Sequence, residues 1–534
     1  MATRALYPTT YDEETKIWSG MSRAPFFAPD CSVGSVLFNA MKNWPNQTVL
    51  INHEDGRRIA NAEMRALATR LALFLKKEKL THNDVVGIIG VTSTYLAPLA
   101  VGCFFNTTPF HAVAVNKEAS VIKGLYELTK PKIMFCDGND YERIKEVTKE
   151  WAPKFITLTG RVEGVPSIED LLNPTMQEHF YQPEPLAVDG DQTALILCSS
   201  GTSGLPKAVA ISHKHVTRIA PFCNSTDIIL TNATLDWATG FISSAIGLIY
   251  GVQKVIFERP FEAGEFIGMI KQYNVSILVL KPWQTYELFN HPLATEESLA
   301  NIRVIFITGC WLSTKILQRG QSLMKKCLIV SSYGATETGA ITANIDHSHD
   351  DSLNNVGRIF PGMRIKIIDE DGNALPHNKV GEVLIDIGSK WLGYLGSPAD
   401  TEATLKDGWI NLGDLGYFDN DNNLILVDRK KDLLKYKSNH YWPTEIEQII
   451  AELPEVLNVC VVGIPDPCIG ELAGALVIKK PGATITEQQI IDHVAKRVVV
   501  EYKQLHSGVK FVDTLPLNPN GKMMRNLAKQ VFLA

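Results

Sequence analysis

The chain has 534 residues, 45% of them hydrophobic and 21% charged, the balance of a water-soluble globular protein with apolar material for more than one core. Its formal net charge of −6 offers no general attraction to nucleic acid or anionic lipid, so any anion site must be built locally from a few lysines and arginines. Nine cysteines, scattered and without a Cys-x-x-Cys pair, point to reduced thiols in the cytoplasm and away from a disulfide framework or a zinc site.

The first residues lack the apolar centre of a secretion signal, and Val-Phe-Leu-Ala534 lacks the Ser-Lys-Leu ending that would favour the peroxisome. Along the chain, helix-period segments alternate with apolar runs of strand length. Residues 61–79 and then 85–91 read as helix and strand, as do 122–129 and 132–136. The uncharged stretch 237–252 reads as a buried helix running into a strand at 254–257. It is broken by glycines and is shorter than the roughly 20 apolar residues of a membrane span. Helix 266–273 precedes strand 275–280, and strand 304–307 precedes helix 312–325, a texture that implies open sheets covered by helices. From about residue 351 short strands and polar turns suggest a smaller β-rich part. Residues 428–432 read as a hinge, followed by helix, strand, helix and strand at 444–453, 459–463, 485–499 and 509–512. The expected fold is α/β. A large N-terminal domain of helix-covered sheets, 1–427, with its β-rich subdomain at about 351–427, precedes a small mobile α+β C-terminal domain, 433–534.

The stretch Cys198-Ser-Ser-Gly-Thr-Ser-Gly-Leu-Pro-Lys207 carries the strongest chemical signal. Gly201 and Gly204 let the backbone bring N–H groups close to an anion, Ser199, Ser200, Thr202 and Ser203 add hydroxyl donors, and Lys207 adds a cation. The chain continues as the strand-like Ala208-Val-Ala-Ile-Ser212, so the loop is a strand-loop-strand clasp and not a Walker loop opening a helix. A plain Gly/Ser hairpin turn is the bland alternative. Ser331-Ser-Tyr-Gly-Ala-Thr-Glu-Thr338 follows an apolar strand, at the end of an α/β sheet where ligands collect. Asp414 stands between Gly413 and Gly416 in Asn411-Leu-Gly-Asp-Leu-Gly416, and a carboxylate there suits the two hydroxyls of a ribose. Asp428-Arg429 and Leu517-Asn-Pro-Asn-Gly-Lys522 add an arginine and a lysine on turns. Each of these alone also reads as turn support, a surface ion pair or a solvated loop.

Taken together and in this order, the motifs resemble the adenylate-forming superfamily of acyl-CoA synthetases, 4-coumarate-CoA ligases and beetle luciferases, with the greatest likeness to insect luciferase-like acyl-CoA synthetases. The resemblance spans nearly the whole chain and includes Lys435-Tyr-Lys437 and Val462-Gly-Ile-Pro-Asp-Pro-Cys-Ile-Gly-Glu471. It implies ATP-dependent activation of a fatty or aryl carboxylic acid to acyl-AMP, then transfer to coenzyme A. By motif match, Ser199 to Lys207 hold the β- and γ-phosphates, Glu337 binds magnesium with help from Thr202 or Thr336, and Tyr333 with Gly334 meets adenine. Gly309 and Cys310 line the adenine side, Asp414 with Arg429 takes the ribose, and Gly240 and Phe241 line the acyl site. Lys522 serves the first half-reaction and Lys435 the second, the C-terminal domain rotating at Lys431. A small-molecule acid is the implied partner; nucleic acid and an integral membrane span are not expected, and a monomer is compatible with the sequence.

Departures fall where substrate should sit. Ala238-Thr-Gly-Phe241 puts Thr239 where relatives carry an imidazole beside the reacting carboxylate, and Trp311 stands on the adenine-side loop. Ala208 and Ser438 each replace a usual glycine, the second on the thiol side. Two alternatives use the same residues: a luciferase-like oxygenase emitting light from adenylated luciferin, and a weakly catalytic nucleotide-binding homologue.

Overall fold

A computed structural model describes residues 8–22, 26–199, 206–218, 223–308, 314–345, 354–437, 439–517 and 523–534. The larger of two N-terminal sheets is built on six parallel strands. In spatial order they are Thr48–Asn52, Gln253–Ile256, Ile228–Leu230, Ile277–Leu280, Val304–Thr308 and Leu328–Ala335. Runs such as Ile-Leu-Val-Leu and Val-Ile-Phe-Ile are apolar on both faces because parallel strands are covered on both sides. Helix Ala263–Tyr273 buries Phe266, Ile267 and Ile270 against one face and ends where Asn274 takes a left-handed conformation at φ 52°.

The sheet does not stop at residue 351. Leu328–Ala335 returns antiparallel as Gly339–Asn344, and Asn355–Ile359, Leu424–Arg429, Trp409–Phe418, Gly381–Asp386 and Arg364–Ile368 extend the ladder. The β-rich stretch is thus the antiparallel continuation of the parallel sheet. Strand Ile17–Gly20 closes its far side on Arg364–Ile368, with fully buried Trp18 stacked on Phe418 at 4.4 Å between ring centres.

The second sheet has the order Ala208–Ser212, Thr193–Cys198, Phe110–Ala112, Val86–Ile89, Ile133–Cys136 and Lys154–Thr157, parallel except for the first pair. Stretch 237–252 forms helix Ala238–Tyr250, ended by Gly251 at φ 70° and followed by strand Gln253–Ile256. Ser243 and Ser244 donate to the carbonyls of Thr239 and Gly240 one turn back, which satisfies their hydroxyls inside the apolar surroundings. Among the described residues no helix is long and apolar enough to cross a membrane.

The smaller C-terminal domain packs helices Pro443–Ala451, Glu487–Arg497 and Arg525–Leu533 on a five-stranded sheet. Its longest pair is Val456–Asp466 with Gly470–Lys479, the second strand carrying the small residues Ala473, Gly474 and Ala475. The small residues make room for packing: a Cβ on Gly474 would stand 2.6 Å from the Phe532 ring of the last helix.

Candidate active site

The clasp is closed at its base. Strands Thr193–Cys198 and Ala208–Ser212 pair antiparallel, Ser199 N donates to the Lys207 carbonyl at 2.8 Å, and Lys207 N donates to Ser199 Oγ at 3.3 Å. Ser200, Gly201, Thr202, Ser203 and Gly204 lie outside the described residues, as do Gly309, Cys310, Trp311, Ser438 and Lys522. Segment 393–395 runs beside the second clasp strand, with Ala210 N donating to Gly393 O at 3.2 Å and Leu395 N to Ala208 O at 2.8 Å. This brings Tyr394 over the clasp. Lys207 Nζ lies 4.6 Å from the centre of its ring and 2.8 Å from Asp400 Oδ1, and the Tyr394 hydroxyl donates to Glu337 Oε1 at 2.8 Å. Burial and the Glu337 carboxylate raise the phenol's pKa, so it remains a donor at neutral pH.

Tyr333 and Asp414 form a second linked group. The Tyr333 hydroxyl donates to Asp414 Oδ2 at 2.6 Å, and Arg429 Nε lies 3.1 Å from Asp414 Oδ1. Asp414 and Arg429 are direct cross-strand partners, the arrangement in which opposite charges meet most readily on a sheet. Each half of the group sits beside a register shift, between Tyr333 and Gly334 and between Leu415 and Gly416; such bulges re-aim side chains at the edges of sites. Gly334 lets the return strand approach, since a Cβ there would stand 2.3 Å from Gly339 O. Burial and the Asp414 carboxylate push the Tyr333 phenol well up.

A cleft of about 2120 Å³ joins these groups, lined by Ser199, Lys207, Tyr333, Gly334, Thr336, Glu337, Tyr394, Asp414 and Arg429, and it continues to Glu447 and Arg525 of the C-terminal domain. Thr239 and Phe241 also line it, from the first turn of helix Ala238–Tyr250. Gly240 faces away from it: its carbonyl accepts from the buried Lys254 ammonium at 3.2 Å, and a Cβ would stand 2.0 Å from Thr234 O. Lys435 is exposed on strand Leu434–Tyr436, and Lys431 lies on the turn Lys430–Asp432; neither lines the cleft. Sequence reasoning missed Tyr394, Asp400 and Lys281. Tyr394 carries one legible signal, its place between Gly393 and Gly396, both at positive φ (82° and 71°).

The fold and this cleft define an adenylate-forming enzyme, and the chain belongs to the AMP-binding enzyme family. The family's model matches residues 37–395, and that of the AMP-binding enzyme C-terminal domain matches residues 445–522. Luciferin 4-monooxygenase of Photinus pyralis is 29% identical, over 96% of each chain. The 4-coumarate–CoA ligase 3 of Oryza sativa subsp. japonica is 26% identical, over 89% of this chain and 88% of its own. The fold of ATP-bound MatB from Rhodopseudomonas palustris superposes with a TM-score of 0.84 at 22% identity, covering 94% of this chain and 99% of that one.

Proposed function

We propose that the protein activates a small carboxylic acid with ATP as an acyl adenylate and passes the acyl group to coenzyme A. The convergence on one cleft of a loop lysine joined through Tyr394 to Glu337, and of Asp414 held by Tyr333 and Arg429, supports this reading most directly. In the first half-reaction a carboxylate oxygen of the acid attacks the α-phosphorus and pyrophosphate leaves. Lys207 exchanges Asp400 for phosphate oxygens, and the backbone of the clasp cradles the β- and γ-phosphates. Asp414 exchanges its internal partners for ribose hydroxyls while Tyr333 presents its ring to adenine. Thr239 and Phe241 shape the acyl site, and Lys522 meets the charge developing at the α-phosphate.

Magnesium fits the donor set. Glu337 engages Tyr394 with one oxygen, its other oxygen has no hydrogen-bond partner among the described residues, and the Thr336 hydroxyl lines the same cleft. Those residues contain no cluster of three histidine, cysteine or acidic ligands, which agrees with an ion held mainly by water and phosphate oxygens. When bound, the ion would neutralise charge on the departing pyrophosphate. In the second half-reaction the thiol sulfur attacks the acyl carbon and AMP leaves. Lys435 serves this step after residues 433–534 rotate relative to 1–427 about a hinge at 428–432 that includes Lys431.

The test is a panel of carboxylic acids scored for ATP- and magnesium-dependent pyrophosphate release, with and without coenzyme A. Release with at least one acid, and a thioester only when coenzyme A is present, is expected. ATP binding without release for any acid would leave a nucleotide-binding homologue instead. The extent of likeness to the Photinus luciferin 4-monooxygenase supports one further reading, oxidation of luciferyl adenylate by oxygen with emission of light. Darkness with presynthesised luciferyl adenylate would remove it.

A further inference from the structure

Lys281 stands where the parallel sheet opens into the cleft. It follows strand Ile277–Leu280 and precedes helix Pro282–Asn290. Register pairs Leu280 with Ile307 and Thr308 with Ser332, so Lys281 is level with Thr308 on the next strand and Ser332 on the one beyond. At about 4.8 Å per strand its backbone is roughly 10 Å from that of Ser332, beside Tyr333. On its other side, strand Ile228–Leu230 pairs with Ile277–Leu280 and leads through Asp236 into the helix that bears Thr239. Lys281 therefore lies between the acyl-side helix and the nucleotide-side strand.

Side chains two apart on a strand share a face, and Ile277, Val279 and Lys281 all line the cleft while Leu278 and Leu280 fill the core behind. Phe306, the partner of Val279, lines it too. Along this strand face the wall is apolar, Ile277, Val279 and Phe306, up to the Lys281 ammonium. That ammonium is half-buried and makes no hydrogen bond or ion pair among the described residues. Burial pushes its pKa down, and the field of Asp236, whose carboxylate takes a hydrogen bond from Thr234, partly offsets this. Lys254 gives the contrast. It is also buried, faces protein instead of cleft, and its ammonium is satisfied by Gly240 O at 3.2 Å and Ser244 Oγ at 2.8 Å. A partly desolvated ammonium on a cleft wall, with no partner among the described residues, is fit for an anion brought by the ligand.

We infer that Lys281 recognises a second anionic group on the substrate, so that the acid is one with a distal carboxylate, an α,ω-dicarboxylic acid, and not a plain fatty or aryl acid. The inference rests on the acid-activating reading above. One carboxylate reacts at the α-phosphate, and the other pairs with Lys281 across the apolar wall.

The experiment measures kcat/KM for pyrophosphate release by the full chain with adipic, suberic and sebacic acids against hexanoic, octanoic and decanoic acids. The wild type should prefer the diacid at one or more lengths. Lys281→Met should lower kcat/KM for that diacid by about 100-fold and raise it for the monoacid of equal length, since a charge-assisted contact is lost and an apolar wall completed. Lys281→Arg, which keeps the charge, should keep the diacid preference and reports on the charge if the methionine variant fails to fold. A wild-type preference for monoacids, or equal losses on both acids in Lys281→Met, overturns the inference; equal losses would assign Lys281 to the reacting carboxylate common to both. Release with monoacids alone sinks this inference and spares the acid-activating reading, whereas no release with any acid sinks both.

Discussion

Asp414 is held from two directions, by the Tyr333 hydroxyl and by its cross-strand partner Arg429. A carboxylate already aimed and desolvated in this way needs little reorganisation to accept two ribose hydroxyls. Asp414→Ala removes two charge-assisted acceptor sites and should raise the KM for ATP by about 10- to 100-fold, whereas Tyr333→Phe, which frees one carboxylate oxygen, should raise it less. Pyrophosphate release titrated with ATP measures both, and an unchanged KM in Asp414→Ala would remove the ribose role. Asp414 was legible in the sequence because its flanking glycines are local. Its tie to Tyr333 was not, since a bulge on each strand turns the two side chains toward one another and bulges leave no hydropathy signature.

At the level of elements, strand Leu424–Arg429 meets helix Pro443–Ala451 through one half-buried carboxyl. Asp428 accepts from Arg429 N at 2.8 Å and from Thr444 Oγ1 at 3.0 Å, and the cleft beyond holds the ion pair of Glu447 with Arg525. Burial pushes the Asp428 carboxyl up to about 6, with Arg525 opposing and with Glu447 and Asp432 adding to the rise. The folded pKa lies above the ordinary value of 3.8, so the protonated form is favoured in this packing. The stabilisation this brings is fully present below that ordinary value and is lost as pH rises through about 6. Asp428→Asn mimics the neutral group at every pH. Its stability should match the wild type's in acid and exceed it above about pH 7 by up to ~3 kcal/mol, read as a higher melting temperature there. Parallel melting profiles from about pH 4 to 8 would refute it. The charged run 428–432 was visible in the sequence, but which of its groups is drawn away from solvent depends on a helix that follows later in the chain.

Across the whole molecule, Lys435 is exposed on strand Leu434–Tyr436 of the C-terminal domain, off the cleft, while Glu447 and Arg525 of the same domain line it. With that geometry Lys435 has no route to a reacting group unless the domain turns. Lys435→Ala should therefore spare acyl-adenylate formation and slow thioester formation from supplied adenylate by at least about 10-fold. Lys522→Ala should do the reverse. Single-turnover assays of the two half-reactions distinguish them, and equal losses in both steps by both variants would defeat the division of labour.

The sequence by itself determined the parallel α/β core and the paired strands at the base of the Ser199–Lys207 loop. Strands buried on both faces must be apolar throughout, and a loop that approaches an anion must be small and hydroxylated, so each is written in neighbouring residues. It also marked the helix Ala238–Tyr250, whose serines satisfy themselves one turn back. Only the tertiary structure decided that the β-rich stretch continues the large sheet, that Tyr394 bridges Lys207 and Glu337, and that Lys281 stands on the cleft wall level with Thr308. Those contacts join distant parts of the chain through strand order and register. A periodic pattern of apolar residues specifies which face of a strand is buried, but not which strand becomes its neighbour.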